Sequence, residues 1–239
     1  MPPRFPPRVL LLQVRRDTAA LEHERVCFRQ VCGDRVRLDG RNVFDAPEVS
    51  WADVRSYDVL ILGGSGECSA TRDYEFTPSL EMVVRRWVRE GRPFLGSCWG
   101  HHFLARALGG EVRTDPSTSE IGTFAVDLAP AGRRDRLFSS LPIRFLAQMG
   151  HHDCVSALPE GVEALAHSER CPNQAMRVVD KPVYSTQFHS ELGRRQMLER
   201  LKLYEDRYVE GTTVEEMAQG IRPTPAVRPL VGRFLDLYT

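Results

Sequence analysis

The sequence predicts an α/β fold with a central, mostly parallel sheet flanked by helices, a smaller antiparallel β element and C-terminal helices. Short unbroken apolar runs alternate with amphipathic stretches, the pattern of parallel strands buried beneath helices. Two of those runs end in glycine-rich turns, Gly63-Gly64-Ser65-Gly66 and Gly96-Ser97-Cys98-Trp99-Gly100. Between Glu111 and Tyr184 the chain changes character, to short β-like segments separated by Pro, Gly and Asp, which read as strands, several of them antiparallel.

Taken in order, Val9 to Val14 is the first predicted strand, followed by a helix from about Ala19 to Val31 that stops at Gly33. Val59-Leu60-Ile61-Leu62 has no polar position, so it reads as a strand buried on both faces, and it runs straight into the first glycine turn. Thr77-Pro78 offers an N-cap with Pro at the first helical position, and Leu80, Val83, Val84, Trp87 and Val88 repeat at helical spacing up to Gly91. The Phe94-Leu95 strand then delivers the chain to Cys98. Phe103, Leu104, Ala107 and Leu108 mark one face of the next helix, which Gly109-Gly110 stops. The expected strands of the middle third are Ile121 to Leu128, Ile143 to Gln148, Val162 to Ala166 and Ala175 to Val179. The tail reads as three helices: one ending near Glu210-Gly211, one opening at Thr212-Thr213 with Glu215 and Glu216 in capping-box position, and one ending at Phe234-Leu235.

A chain of 239 residues, 42% of them hydrophobic, holds one large domain or two small ones. The reading adopted is one domain over 1–210 and a helical extension over 211–239. Lys plus Arg and Asp plus Glu both number 32, so no global field draws the protein to nucleic acid or to a membrane surface. The expected partner is a small molecule or another protein. The N-terminal stretch carries positive charge without an apolar signal core, and no run approaches a spanning helix, so a cytoplasmic location is expected. The six cysteines, without a CxxC pair, argue against a disulfide scaffold and against a zinc ribbon. Cys98 apart, most of them read as buried packing residues, Cys68 included.

Cys98 differs because an apolar strand, a small-residue turn and a helix display its thiol on a bend. A helix starting just after it puts the positive end of a dipole near the sulfur. A second segment, Gln187-Phe188-His189-Ser190-Glu191, places an imidazole and a carboxylate two residues apart, the groups that activate such a nucleophile. The residues point to a Cys-His-Glu hydrolase. His101-His102 and His151-His152-Asp153 do not make a metal site, because adjacent side chains on one element point apart.

These motifs resemble, in the same order along the chain, the class I (triad-type) glutamine amidotransferases, of the stand-alone GMP-synthetase-like glutaminase kind. Gly96 to Gly100 is similar to the family's Gly-x-Cys-x-Gly elbow, and Gln187 to Glu191 to its Phe-His-Pro-Glu segment, with Ser190 for the usual Pro. Gly63 to Gly66 is similar to its oxyanion loop, and Met149-Gly150-His151-His152-Asp153 to its Met-Ser-His-Gly-Asp segment. The resemblance spans about Val9 to Leu192. It implies a flavodoxin-like amidotransferase fold with the site at the carboxyl ends of the strands. It also implies a catalytic triad of Cys98, His189 and Glu191, oxyanion donors at Gly64 and Trp99, and substrate contacts at Gly66, His102, His151 and Asp153, the last two either shaping the pocket or closing a turn. No cofactor and no metal is implied. The family usually has Gln where this chain has His102, and an imidazole cannot copy an amide's contacts. Three functions therefore stand open: a glutaminase feeding ammonia to a separate synthase, a free-standing γ-glutamyl hydrolase or peptidase, and a catalytically retired domain that binds a γ-glutamyl ligand or a partner.

Overall fold

The computed structural model describes residues 6–208 and 213–239. The strands are β1 (Arg8–Gln13), β2 (Arg37–Asn42), β3 (Val59–Leu62), β4 (Phe94–Ser97), β5 (Glu111–Thr114), β6 (Glu120–Leu128), β7 (Arg144–His151), β8 (Asp153–Ala157), β9 (Val162–His167), β10 (Ala175–Val178) and β11 (Val183–Thr186). The helices are α1 (Thr18–Cys32), α2 (Trp51–Val54), α3 (Thr77–Arg89), α4 (Trp99–Ala107), α5 (Pro130–Arg134), α6 (Arg194–Leu203), α7 (Glu205–Tyr208), α8 (Val214–Gly220) and α9 (Leu230–Tyr238). Among the described residues nine strands form one sheet in the order β2-β1-β3-β4-β11-β10-β9-β6-β7, and β5 and β8 form a separate antiparallel pair. The first five strands of that order run parallel; the remaining four continue the sheet antiparallel.

Strand periodicity of two splits the apolar runs between the faces. Val9, Leu11, Val59, Ile61 and Leu95 point into one core with Phe28 of α1 and Phe234 and Leu235 of α9. Leu10, Leu12, Leu60, Leu62 and Phe94 point into the other, with Leu80 and Trp87 of α3 and Phe103 of α4. Both faces are covered, which is why β3 tolerates no polar residue. The described segment from residue 213 belongs to this packing: α9 closes the first core, and Val214 and Ile221 pack with Met197, Leu201 and Tyr204 at the end of α6.

Capping follows local chemistry. Asp17 Oδ1 accepts from the Ala20 amide at 2.7 Å to start α1. At α8, Thr213 and Glu216 exchange side-chain and backbone bonds at 3.1 Å, the expected capping box. At α3 the structure departs from expectation: Thr77 is the first helical residue and Phe76 the cap, because the Thr77 hydroxyl accepts from the Tyr74 amide one turn earlier. The expected helix end at Glu210-Gly211 lies outside the described residues. The cysteine reading is corrected at one pair. Cys154 on β8 and Cys171 form a disulfide with Cα atoms 6.4 Å apart, a contact made by folding β8 against the 168–174 loop that spacing along the chain does not encode. Cys27, Cys32, Cys68 and Cys98 remain unpaired and buried.

Candidate active site

Cys98 stands between β4 and α4 with φ 51° and ψ −101°, a backbone conformation that costs about 1–3 kcal/mol and persists only where its surroundings impose it. Here the Cys98 amide donates to Thr186 O at 2.8 Å and the Gly100 amide to Gly63 O at 3.0 Å, tying the bend to the ends of β11 and β3. The flanking glycines permit that closeness. A Cβ on Gly96 would lie 2.7 Å from Gly100 O, and one on Gly100 would lie 2.1 Å from Leu62 O. The Gly-x-Cys-x-Gly spacing is thus a packing requirement of a strand, a helix and a neighbouring strand meeting at one point.

The second half of the site follows β11. The His189 amide donates to Gln148 O at 2.9 Å, and its ring Nδ1 faces Glu191 Oε1 at 2.6 Å. Glu191 Oε2 accepts from Ser97 Oγ at 3.2 Å, and Arg228 Nη1 donates to the Glu191 carbonyl. His189 and Cys98 crowd the same point: a Gly64 Cβ would lie 3.2 Å from His189 Cε1 and 3.5 Å from Cys98 Cβ. Burial alone would keep the imidazole neutral, but the Glu191 carboxylate and the Cys98 sulfur outweigh it and raise His189 to about 9. Burial would likewise push the Glu191 carboxyl up, and the facing imidazole instead holds it at about 2. An imidazole in this setting can take a thiol proton and keep it at neutral pH.

Cys98 opens on a cavity of about 810 Å³ whose lining includes Gly66, Cys68, His102, His151 and Asp153. His102 is 3% exposed and its Nε2 lies 2.5 Å from Gln187 Oε1; burial pushes its pKa down to about 4, so the ring is neutral. His101 points elsewhere, to Ser185 Oγ and Asn173 O, both at 2.9 Å. His151 sits between Asp153 O at 2.9 Å and the buried Glu120 at 3.1 Å. Among the described residues no group of three or more His, Cys, Asp or Glu side chains is placed to hold a metal ion.

Against this geometry stand the relatives. The sequence profile of the family described as Glutamine amidotransferase class-I matches residues 39–202, a span that includes Cys98, His189 and Glu191. The chain belongs to the class-I glutamine amidotransferase family. It is similar to a glutamine-hydrolyzing GMP synthase subunit of Methanocaldococcus jannaschii, 40% identical over 100 residues covering 42% of this chain and 51% of that protein. The counterpart from Methanothermobacter thermautotrophicus, which carries the same name, is 35% identical over 144 residues, 58% of this chain and 67% of that one. The matched stretch thus spans about half to two thirds of these relatives. Crystal structures of a glutamine amidotransferase from Thermotoga maritima (TM-score 0.74, 23% identity, 97% of this chain and 99% of that one) and from Methylobacillus flagellatus (TM-score 0.73, 19% identity, 98% and 96%) share the fold.

Within this amidotransferase scaffold, the two expected oxyanion donors differ in their hydrogen bonds. The Gly64 amide, expected to face an oxyanion, donates instead to Glu24 Oε1 at 2.9 Å. Glu24 is buried and also accepts from Arg15 Nη2 at 2.7 Å and Gln13 Nε2 at 3.1 Å, while Arg15 Nη1 donates to the Tyr204 hydroxyl at 2.7 Å. The loop is therefore anchored from behind by a buried acid on α1. The other expected donor is better placed: the Trp99 amide opens α4 and makes no backbone hydrogen bond among the described residues, whereas those of Gly100, His101 and His102 are used by Gly63 O and Cys98 O. Asp153 proves to be a brace for the cavity wall. Its Oδ2 accepts from Ser69 Oγ at 2.6 Å and the Ala70 amide at 3.2 Å, and its Oδ1 from Thr114 Oγ1 at 2.6 Å. The sequence reading missed Glu24, Arg15 and the Gln187 side chain; an acid and an Arg inside otherwise apolar or helical stretches near β1 were the only available signal.

Proposed function

We propose that this chain hydrolyses the γ-carboxamide of glutamine through a thioester on Cys98 and passes the ammonia to a separate synthase. The observation that carries the reading is a buried thiol on a strained strand-to-helix bend, beside a charged His189–Glu191 pair, at the wall of a cavity large enough for an amino acid. Cys98 attacks the amide carbon; the C–S bond forms and the carbonyl π pair moves to oxygen, which accepts a hydrogen bond from the Trp99 amide at the start of α4, until its return breaks the C–N bond. His189 holds the thiol proton and returns it to the departing ammonia, and Glu191 orients the ring. Water then cleaves the thioester to glutamate. Gly66, His102, His151 and Asp153 form the substrate side of the cavity. The chain is one amidotransferase domain over 1–210 with a C-terminal extension over 211–239, working in the cytoplasm beside a synthase of the kind that the relatives' names record. Among the described residues no helix is long and apolar enough to cross a membrane.

One observation favours a second reading. With His102 bonded to Gln187, the position where the family usually presents Gln is withdrawn from a free amino acid, and a larger γ-glutamyl compound is the alternative substrate of a free-standing hydrolase. The test is release of ammonia and glutamate from glutamine and from a panel of γ-glutamyl amides and peptides, with and without the synthetase component of a GMP synthase, using Cys98→Ala as control. Turnover of glutamine that the synthetase accelerates and the mutant lacks supports the proposal. Selective turnover of another γ-glutamyl compound without a partner supports the second reading. No turnover in any arm marks a retired domain.

A further inference from the structure

Gln187 lies between the His/Glu segment and the nucleophile, is fully buried, and points its Nε2 at Cys98 Sγ from 3.8 Å. Its Oε1 meets His102 Nε2 at 2.5 Å, and its backbone amide is fastened to Gln174 O at 2.8 Å. A side-chain amide has two chemically opposite ends, and something must decide which end faces the sulfur. An amide oxygen only accepts, so the contact of Oε1 with His102 Nε2 calls for the ring proton on that nitrogen, and with Oε1 held there the NH2 group is the end that faces Cys98. We propose that Gln187 is a further catalytic residue that donates a side-chain hydrogen bond to the Cys98 thiolate, and that His102 is the positioning residue that sets the direction of this amide.

The proposal rests on the reading of Cys98 as nucleophile and adds a second polar group to it. The thiol form has its own acceptor, Gly150 O at 3.7 Å; once the proton moves to His189, the sulfur carries negative charge at a buried position on the cavity wall, where a donor fixed in advance stabilises it. As the S–C bond forms, the charge passes to the carbonyl oxygen, which accepts from the Trp99 amide. His102 then has a use in this chain other than contact with substrate. The titratable groups facing the sulfur are His189 after β11 and His102 on α4, with His151 and Asp153 of β7 and β8 across the cavity and Glu191 acting through His189.

The experiment is the rate of Cys98 alkylation by iodoacetamide as a function of pH, read by peptide mass spectrometry on the full chain, for the wild type, Gln187→Met, His102→Phe and His102→Gln. Gln187→Met is expected to move the midpoint up by about one pH unit, a tenfold loss of thiolate below it. His102→Phe is expected to move it the same way, and His102→Gln, whose amide again donates to Gln187 Oε1, to bring it back. Should Gln187→Met fail to fold, the pair of His102 variants decides: an upward shift in His102→Phe that His102→Gln reverses supports the proposal, and no shift overturns it. Wild-type and Gln187 profiles that superimpose overturn the proposal, as does a His102→Gln profile that stays with His102→Phe. Wild-type Cys98 that is not alkylated at any pH overturns the nucleophile reading itself, a result distinct from either.

Discussion

Replacing Gly100 by Ala tests whether the bend that displays Cys98 is set by backbone contact. A Cβ there would stand 2.1 Å from Leu62 O, 2.8 Å from Leu62 C and 3.1 Å from Leu62 Cβ. The nearest contact must grow to the 3.4 Å or more of ordinary packing, and backbone oxygen has no rotamer through which to retreat. The start of α4 must therefore lift from the end of β3, stretching the 3.0 Å bond from the Gly100 amide to Gly63 O and carrying Trp99 and Cys98 with it. Overpacking of this kind costs about 1–3 kcal/mol, and for a chain of this size each kcal/mol lowers the melting temperature by about 2–4 °C. A displacement of the sulfur by about 1 Å costs about a hundredfold in rate. The assay pairs thermal unfolding with amide turnover, or with labelling of Cys98 by a glutamine-like electrophile. Gly220→Ala, with nothing within 4 Å of its Cβ position, serves as the unstrained control and should match or slightly exceed the wild type in stability. A Gly100→Ala protein that melts and reacts like the wild type would refute the contact argument.

Other outcomes follow from the same geometry. Because the folded-state pKa of His189 is raised from 6.5 to about 9, its contribution to stability is complete below pH 6.5 and is lost as the pH rises through 9; denaturant melts should show that decline in the wild type and a smaller one in Glu191→Gln. Glu191 is shifted the opposite way, from 4.5 to about 2, so its contribution is present above pH 4.5 and disappears as the pH falls through 2, visible as an acid limb that Glu191→Gln lacks. Asp153→Ala strands the Ser69, Ala70 and Thr114 donors and should cost about 1–3 kcal/mol by urea melting, with faster proteolysis between residues 65 and 74. The Cys154–Cys171 link closes 17 residues, so the Cys154→Ser, Cys171→Ser double variant should lose up to about 3 kcal/mol in oxidising buffer, and the difference should vanish in reductant.

The parallel half of the sheet is readable in the chain because β3 and β4 are buried on both faces and so carry runs without polar interruption, and the bend at Cys98 is readable because its two close approaches demand glycine at fixed spacing. The His189–Glu191 pair is readable for a similar reason, since both groups come from one short segment. What the chain conceals is long-range. Glu24 on α1 looks like any exposed helical acid until β1 and the Gly63–Gly66 loop fold over it, and β2, with its mixed Arg37–Asn42 composition, gives no apolar run because it is an edge. The Cys154–Cys171 pair depends on how β8 meets a loop, and the Gln187 amide has meaning only once α4 brings His102 to one end of it and Cys98 to the other. Local chemistry thus located the candidate nucleophile, while the groups that orient and brace it came from contacts between distant segments.

The central claim is that Cys98 is a nucleophile shaped for a γ-glutamyl carbonyl. Its most direct test is peptide mapping after treatment with a chloroketone analogue of glutamine, with and without excess glutamine. The account predicts one adduct, on the peptide carrying Cys98, suppressed by glutamine, and absent from Cys27, Cys32 and Cys68. No adduct at Cys98, or labelling that glutamine leaves unchanged, would contradict it.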